Sequence, residues 1–179
     1  MKNRKNIRKL ALSAMFLALS FVLPFFTGQI PEIGSMLCPM HIPVIICGFL
    51  CGAPWGLVIG FISPLFRSLI LGMPPLFPTA LSMAFELAAY GFMSGLLFKK
   101  LPKTNLFIYI DLIISMIAGR IVWGVVTFIL MGLEIEKFGF SVFLTSAVIN
   151  AVPGIILQLI LIPVLVIIIN KSDIIKKLQ

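Results

Sequence analysis

Four charged side chains interrupt stretches of the sequence that are otherwise almost entirely apolar. They are Arg67, Glu86, Asp111 and Arg120. A charged side chain inside a membrane is costly, so such residues usually face a polar cavity or a partner of opposite charge. Two guanidinium groups and one carboxylate could form a structural ion pair, or they could leave a surplus cation that binds a carboxylate or a phosphate.

Three uncharged polar residues accompany these charges, and each has its own possible chemistry. His41 is the single histidine of the chain, so a His-rich metal site is not expected and acid–base chemistry would have to pair His41 with Glu86. Asn150 and Gln158 can only donate or accept hydrogen bonds. The sequence contains no P-loop, no His-Glu-x-x-His and no Gly-x-Ser-x-Gly motif, and we expect no bound metal or cofactor.

The elements that hold these residues are predicted to be membrane helices. The chain has 179 residues, of which 60% are hydrophobic and 11% are charged, whereas soluble domains carry about a quarter of charged residues. A helix needs about 20 apolar residues to cross the hydrocarbon core. On this basis six spans are predicted, at about 8–26, 41–52, 54–71, 79–98, 106–131 and 141–169.

The break between the second and third spans is inferred from length. The apolar stretch that contains them has about 31 residues, too many for one span. Gly52 and Pro54 lie near its middle, where a proline disfavours a continuing helix. The predicted fold is therefore an all-α integral membrane domain with six transmembrane helices.

The distribution of Lys and Arg predicts the orientation of these helices. Basic residues cluster at the N-terminus, at 99–103 and at 171–177, and six spans place all three clusters on one side. Lys and Arg concentrate in cytoplasmic flanks, so both termini are predicted to be cytoplasmic. The net charge of +8 therefore indicates membrane topology rather than nucleic-acid binding.

In this orientation five polar residues from five spans converge on the outer half of the membrane. They are His41, Arg67, Glu86, Arg120 and Asn150. Convergence of this kind predicts a solute site that opens outward, although an Arg120–Glu86 or Arg67–Glu86 pair could instead hold helices together. Asp111 lies near the cytoplasmic end of its span, where we expect it to reach the interface or to pair with a lysine.

Small residues recur at spacings of three and four in the first span, at Ala11, Ala14 and Ala18. Small side chains allow helices to approach closely in lipid. Spacing alone leaves two alternatives open, which are packing against this chain's own helices and docking of another subunit.

Several short strings, taken in order, resemble a known family. They are Ala14-Met-Phe-Leu-Ala18, Pro39-Met-His-Ile-Pro43, Ser63-Pro-Leu-Phe-Arg67, Gly72-Met-Pro-Pro75, Ala84-Phe-Glu-Leu87 and Ala118-Gly-Arg120. With the size and the six spans, they resemble the substrate-binding S components of energy-coupling factor (ECF) vitamin transporters. Within that family they look most like the pantothenate, folate and hydroxymethylpyrimidine carriers.

The resemblance implies a function and partners. An S component captures a vitamin or precursor from outside and docks on a module of one transmembrane coupling subunit and two ATPases in the cell membrane. The resemblance also implies that three side chains contact the ligand, namely Glu86, Arg120 and Asn150. It implies that Arg67 and His41 either contact the ligand or brace loops, and that the first-span alanines dock on the coupling subunit. Pantothenate is the first substrate expected, and a pyridoxine-like or pyrimidine compound bound through Glu86 is the alternative.

Such a subunit is not an enzyme. On the residues alone, two other functions remain open. One is an intramembrane enzyme that uses Glu86 and His41, and the other is a small channel or an assembly subunit.

Overall fold

The computed structural model describes residues 2–27, 37–102, 104–131 and 152–171. Every regular element in these ranges is helical, which confirms the predicted all-α class. The helices are α1 (Lys2–Val22, followed by a 3-10 turn over Leu23–Thr27), α2 (His41–Cys51), α3 (Ala53–Leu71), α4 (Leu81–Lys100, preceded by a wide turn over Leu76–Ala80), α5 (Asn105–Met131) and α6 (Val152–Lys171).

Five of the described helices, α1, α3, α4, α5 and α6, are long and apolar enough to cross a membrane. Helix α2 has only 11 residues, and it therefore rises about 16 Å, roughly half the thickness of the hydrocarbon core. All of its residues are buried in the bundle. The structure therefore supports a multi-pass helical protein with five candidate spans and a short buried helix.

Helices α2 and α3 are separated by a single residue, Gly52. Its backbone has φ 98° and ψ 169°, a conformation that residues with a Cβ rarely adopt. A Cβ at Gly52 would meet no atom within 4 Å, so the glycine is required by backbone conformation and not by lack of space. Gly52 therefore ends α2 and lets the chain turn into α3.

Helices α3 and α4 pack backbone against backbone through glycines. A Cβ at Gly56 or at Gly91 would overlap the carbonyl oxygen of the other residue, and a Cβ at Gly60 would overlap the carbonyl of Leu87. Gly48 of α2 meets the same Gly91 carbonyl. Close approach through small residues is the usual way in which membrane helices associate. These contacts determine the rotation of α4, and hence the direction in which its polar side chains point.

Polar contacts attach α1 to the bundle along one side. The hydroxyl of Ser20 donates to the hydroxyl of Ser63 on α3 at 2.9 Å. The thiol of Cys47 on α2 donates to Ser13 at 3.7 Å. Both serines are buried, so the opposite side of α1 faces outward.

Some predicted features lie outside the described residues. They include Asn150, most of the loop at 27–40, the loop with Glu134 and Glu136, and the first part of the sixth predicted span.

Candidate functional site

Glu86 lies at the centre of a polar cluster formed by α2, α4 and α5. Its side chain is 2% exposed. Its Oε1 atom accepts a hydrogen bond from the Tyr90 hydroxyl at 2.9 Å and lies 3.0 Å from Nη1 of Arg120. Nε2 of His41 lies 3.7 Å from the same oxygen. The structure thus brings together three of the five predicted site residues around one carboxylate oxygen.

Tyr90 is a member of this cluster that the sequence analysis missed. It follows Glu86 by four residues, and side chains at this spacing share a helix face. Its ring fits against α5 because Gly119 has no side chain, since a Cβ there would overlap the Tyr90 ring. The His41 and Tyr90 rings have centroids 5.2 Å apart. The i, i+4 spacing from Glu86 is the sequence signal that could have identified Tyr90.

Arg120 is the most accessible charged group of the cluster. Its side chain is 21% exposed, compared with 3% for His41 and 2% for Glu86. Its Nη2 atom also donates to the Cys38 thiol at 4.0 Å. An arginine has five N–H donors, so Arg120 can pair with Glu86 and still offer hydrogen bonds to another group.

The segment before α2 extends the cluster through Cys38. Cys38 has a left-handed backbone conformation with φ 47°, which is uncommon for a residue with a Cβ. Its carbonyl accepts a hydrogen bond from the backbone N–H of His41 at 3.0 Å. The Cys38 thiol is therefore held beside the Arg120 guanidinium.

The ring of His41 is buried in this cluster without a hydrogen bond. Neither Nδ1 nor Nε2 has a hydrogen-bond partner among the described residues. A buried polar atom without a partner costs about 1–3 kcal/mol. Because Nε2 lies 3.7 Å from Glu86, Nδ1 is the ring atom left to bond a solute that enters the cluster.

Arg67 does not join Glu86. Its Nη1 atom donates to the backbone carbonyl of Phe21 at 2.9 Å, and its guanidinium lies 5.4 Å from the centroid of the Phe25 ring. Phe21 lies in the last turn of α1, where carbonyl groups lack partners within the helix. Arg67 thus ties the end of α1 to α3.

The described cluster contains one arginine and one glutamate, so these two formal charges cancel. The predicted surplus of two arginines over one glutamate is not present at a single place, because Arg67 lies apart. Asn150 lies outside the described residues.

Asp111 differs from its expected position. It was expected to reach the interface or to pair with a lysine, but it is fully buried. Its Oδ1 atom accepts a hydrogen bond from Ser115 at 3.1 Å. No ion pair to Asp111 is present in the part of the chain that the structure describes. Asp111 precedes Arg120 on α5 by nine residues, about 14 Å along the helix axis, and this distance separates it from the Glu86 cluster.

Thr127 on α5 and Gln158 on α6 are also buried. The hydroxyl of Thr127 has no hydrogen-bond partner among the described residues. Thr127 follows Arg120 by seven residues, and it therefore lies on the same face of α5, about 10 Å nearer its C-terminal end. The sequence analysis did not single out Thr127, because a threonine is common in a membrane helix.

The alanines of the first span lie on the outer face of the bundle. Ala11, Ala14 and Ala18 are all exposed, whereas Ser13 and Ser20 on the opposite side of α1 are buried. The alanines therefore do not pack against the described helices of this chain.

Comparison with known proteins gives one family. The sequence profile described as "ECF transporter, substrate-specific component" matches residues 8–166. This is a family of substrate-binding transporter subunits and not of enzymes, and its members bind a small molecule and work with ECF module subunits in the membrane. Searches of curated proteins and of solved structures gave no match. Because the profile covers most of the chain, this multi-pass membrane protein belongs to the family of ECF transporter substrate-specific components.

Proposed function

We propose that the chain captures a small vitamin or vitamin precursor at the Glu86–Arg120–His41 cluster. The bound subunit then docks on a module of one transmembrane coupling subunit and two ATPases, for ATP-driven uptake across the cell membrane. The observation that supports this proposal is the convergence of Tyr90, Arg120 and His41 on one oxygen of Glu86. Intramembrane polar groups arranged in this way usually mark a solute pathway.

The proposed topology has six spans and two cytoplasmic termini. In this arrangement α2 lies in the proposed second span, about 41–52, and its own 11 residues cover about half of the hydrocarbon core. Arg120 lies 15 residues after Asn105, which places it about 22 Å from the cytoplasmic end of α5. The cluster then opens toward the outside, where a capture subunit meets its solute.

The roles of the five predicted site residues follow from their partners. Arg120 contacts the ligand through donors that Glu86 leaves unused, and His41 contacts it through Nδ1, because its Nε2 atom lies 3.7 Å from Glu86. Glu86 holds both side chains in place. Asn150 remains a proposed ligand contact. Arg67 is proposed to brace α1 against α3, because its guanidinium is engaged at Phe21.

Pantothenate remains the first substrate proposed, since the accessible Arg120 can donate two parallel hydrogen bonds to its carboxylate. The charges of Glu86 and Arg120 cancel in the described cluster, and this also supports the alternative, a ligand that binds through Glu86. A pyridoxine-like or pyrimidine compound would donate to Glu86 and would not need a surplus cation. The two substrate classes differ in whether removal of Arg120 or of Glu86 abolishes binding.

Ala11, Ala14 and Ala18 are proposed to form the docking face for the coupling subunit. Their exposure supports this role over packing within the chain. Alanines allow a partner helix to approach closely.

Mass spectrometry of the solute that co-purifies with the chain is the first test of the function. We expect one vitamin-like compound, and calorimetry should then show saturable binding without ATP. Arg120→Ala should weaken binding of a carboxylate ligand by about 2 kcal/mol or more, roughly 30-fold, through loss of a charge-assisted bond. Arg67→Ala is the matched control, because it removes a second intramembrane arginine outside the cluster.

A folded Arg120→Ala variant with unchanged affinity would assign Arg120 to structure alone. Failure of a monodisperse wild-type protein to bind any member of a vitamin panel would overturn the proposed function.

A further inference from the structure

Thr127 is a buried hydroxyl on α5 that the Glu86 cluster does not use. The residue is 5% exposed, and its Oγ1 atom has no hydrogen-bond partner among the described residues. A hydroxyl inside a helix commonly donates to the carbonyl three or four residues earlier. Ser20, Ser63 and Ser82 make this bond in the same bundle. Thr127 does not make it, so its hydroxyl is left for a group that lies outside its own helix.

The face of α5 that carries Thr127 also carries Arg120. Thr127 follows Arg120 by seven residues, which is about two turns and about 10 Å along the helix axis. Gly124 lies between them on this face, four residues after Arg120 and three before Thr127. Gly124 is buried, and it has no side chain to cover the helix backbone. The face therefore presents a guanidinium, then uncovered backbone, then a hydroxyl.

Helix α4 supplies a second buried hydroxyl at the height of Thr127. The two helices are joined by a short connection, so they run antiparallel. The Tyr90 ring on α4 packs against Gly119 on α5. Ser82 lies eight residues before Tyr90, and Thr127 lies eight residues after Gly119, so the two hydroxyls lie at about the same height along the antiparallel pair. Ser82 is 1% exposed, and its hydroxyl donates to the carbonyl of Pro78 at 2.9 Å.

The described helix positions at this height are polar but uncharged. No charged residue of α4 precedes Glu86, and none of α5 follows Arg120. The Ser82 hydroxyl already donates its proton, so it can only accept a further hydrogen bond, whereas the Thr127 hydroxyl can donate and accept. A neutral hydroxyl or amide matches these groups. A charged group would lose its hydration there, and these parts of α4 and α5 offer it no counter-charge.

We propose that Thr127 is a second ligand contact and that it bonds a neutral hydroxyl or amide group of the solute. This inference rests on the proposed capture of a vitamin at the Glu86–Arg120–His41 cluster. One end of the solute meets the spare donors of Arg120 and Nδ1 of His41, and the other end meets Thr127. The ligand class is a small molecule with an uncharged hydrogen-bonding group roughly 4–10 Å from the group at Arg120, given the axial separation and two hydrogen-bond lengths.

The test compares Thr127→Val with Thr127→Ser in the full-length chain, by calorimetry with pantothenate, folate, pyridoxine and hydroxymethylpyrimidine as probes. Valine keeps the shape of threonine and removes the hydroxyl, whereas serine keeps the hydroxyl. For a probe that the wild type binds, Thr127→Val should weaken binding about fivefold to tenfold, through loss of one hydrogen bond. Thr127→Ser should stay within about threefold of the wild type. Thr104→Val is the matched control, because it makes the same change at an exposed position before α5, and it should leave the affinity unchanged.

Stability of the ligand-free protein separates a ligand contact from a structural one. A buried hydroxyl without a partner destabilises the ligand-free fold, so Thr127→Val should leave the thermal unfolding midpoint unchanged or raise it. The rise in midpoint on addition of the bound probe should become smaller. A lower midpoint for ligand-free Thr127→Val would show that the hydroxyl has a structural partner, and it would overturn the inference.

The failure of this inference can be distinguished from failure of the proposed function. If the wild type binds a probe and Thr127→Val binds it equally well, only this inference fails. It also fails if Thr127→Ser binds as weakly as Thr127→Val, because packing and not the hydroxyl would then determine affinity. A co-purifying solute with charged groups at both ends would contradict the neutral contact at Thr127. If the wild type binds none of the probes, the proposed function fails as well.

Discussion

Two buried carboxylates, Glu86 and Asp111, lie in the described part of the bundle, and their surroundings differ. Glu86 is met at one oxygen by Arg120, Tyr90 and His41, which come from three helices. Asp111 accepts one hydrogen bond from Ser115 on its own helix, and its Oδ2 atom has no partner among the described residues. Burial alone therefore does not identify a binding site. Convergence of donors from several helices is the distinguishing feature.

Of the substitutions that test this comparison, Glu86→Ala is expected to lower the free energy of unfolding most. It leaves Arg120 without its counter-charge and Tyr90 without its acceptor in a buried site. The free energy of unfolding in mixed detergent micelles should fall by about 3 kcal/mol, as expected when one partner of a buried ion pair is removed. Binding measured by calorimetry should be lost as well for a ligand that donates to Glu86.

A smaller effect is expected from Tyr90→Phe. The ring that packs against Gly119 and His41 remains, and only the hydroxyl that donates to Glu86 is removed. We expect a loss of about 1 kcal/mol in the free energy of unfolding, the usual range for a hydrogen bond between membrane helices or within one. Tyr109→Phe is the matched control, because Tyr109 is the other tyrosine of the chain and is 38% exposed. If both variants lost the same free energy of unfolding, the hydrogen bond from Tyr90 to Glu86 would not contribute measurably to stability.

The smallest effect is expected from Asp111→Asn. The amide oxygen still accepts the hydrogen bond from Ser115, and no described cation loses its partner. The free energy of unfolding should change by less than about 1 kcal/mol, and ligand affinity should be unchanged in calorimetry. A loss as large as that of Glu86→Ala would show that Asp111 has a charged partner and would remove the contrast between the two carboxylates.

The sequence predicted that polar groups meet, but it left their pairing open. Depth along the helix axis follows from counting residues, and it placed Arg67 and Arg120 in the same half of the membrane. Depth does not give the direction in which a side chain points. The structure pairs Glu86 with Arg120 and directs Arg67 to the carbonyl of Phe21. Asn150 remains a prediction, since it lies outside the described residues.

The short α2 helix shows what the sequence could not predict about the fold. Hydropathy identified an apolar stretch with a break near its middle, and composition predicted helices throughout. Hydropathy does not show whether neighbouring helices enclose an apolar helix. Helix α2 is enclosed by its neighbours because Gly48 and Gly91 allow close approach, and it is shorter than a span.

The amino-acid sequence by itself determined that this is a helical membrane protein with charges at a few defined depths, because lipid excludes polar backbone and side chains along the whole length of a span. Only the tertiary structure decided which of these charges meet, because helix rotation depends on glycine contacts between residues far apart in the chain. Those contacts turn Glu86 and Tyr90 toward Arg120, and they leave the alanines of α1 facing outward.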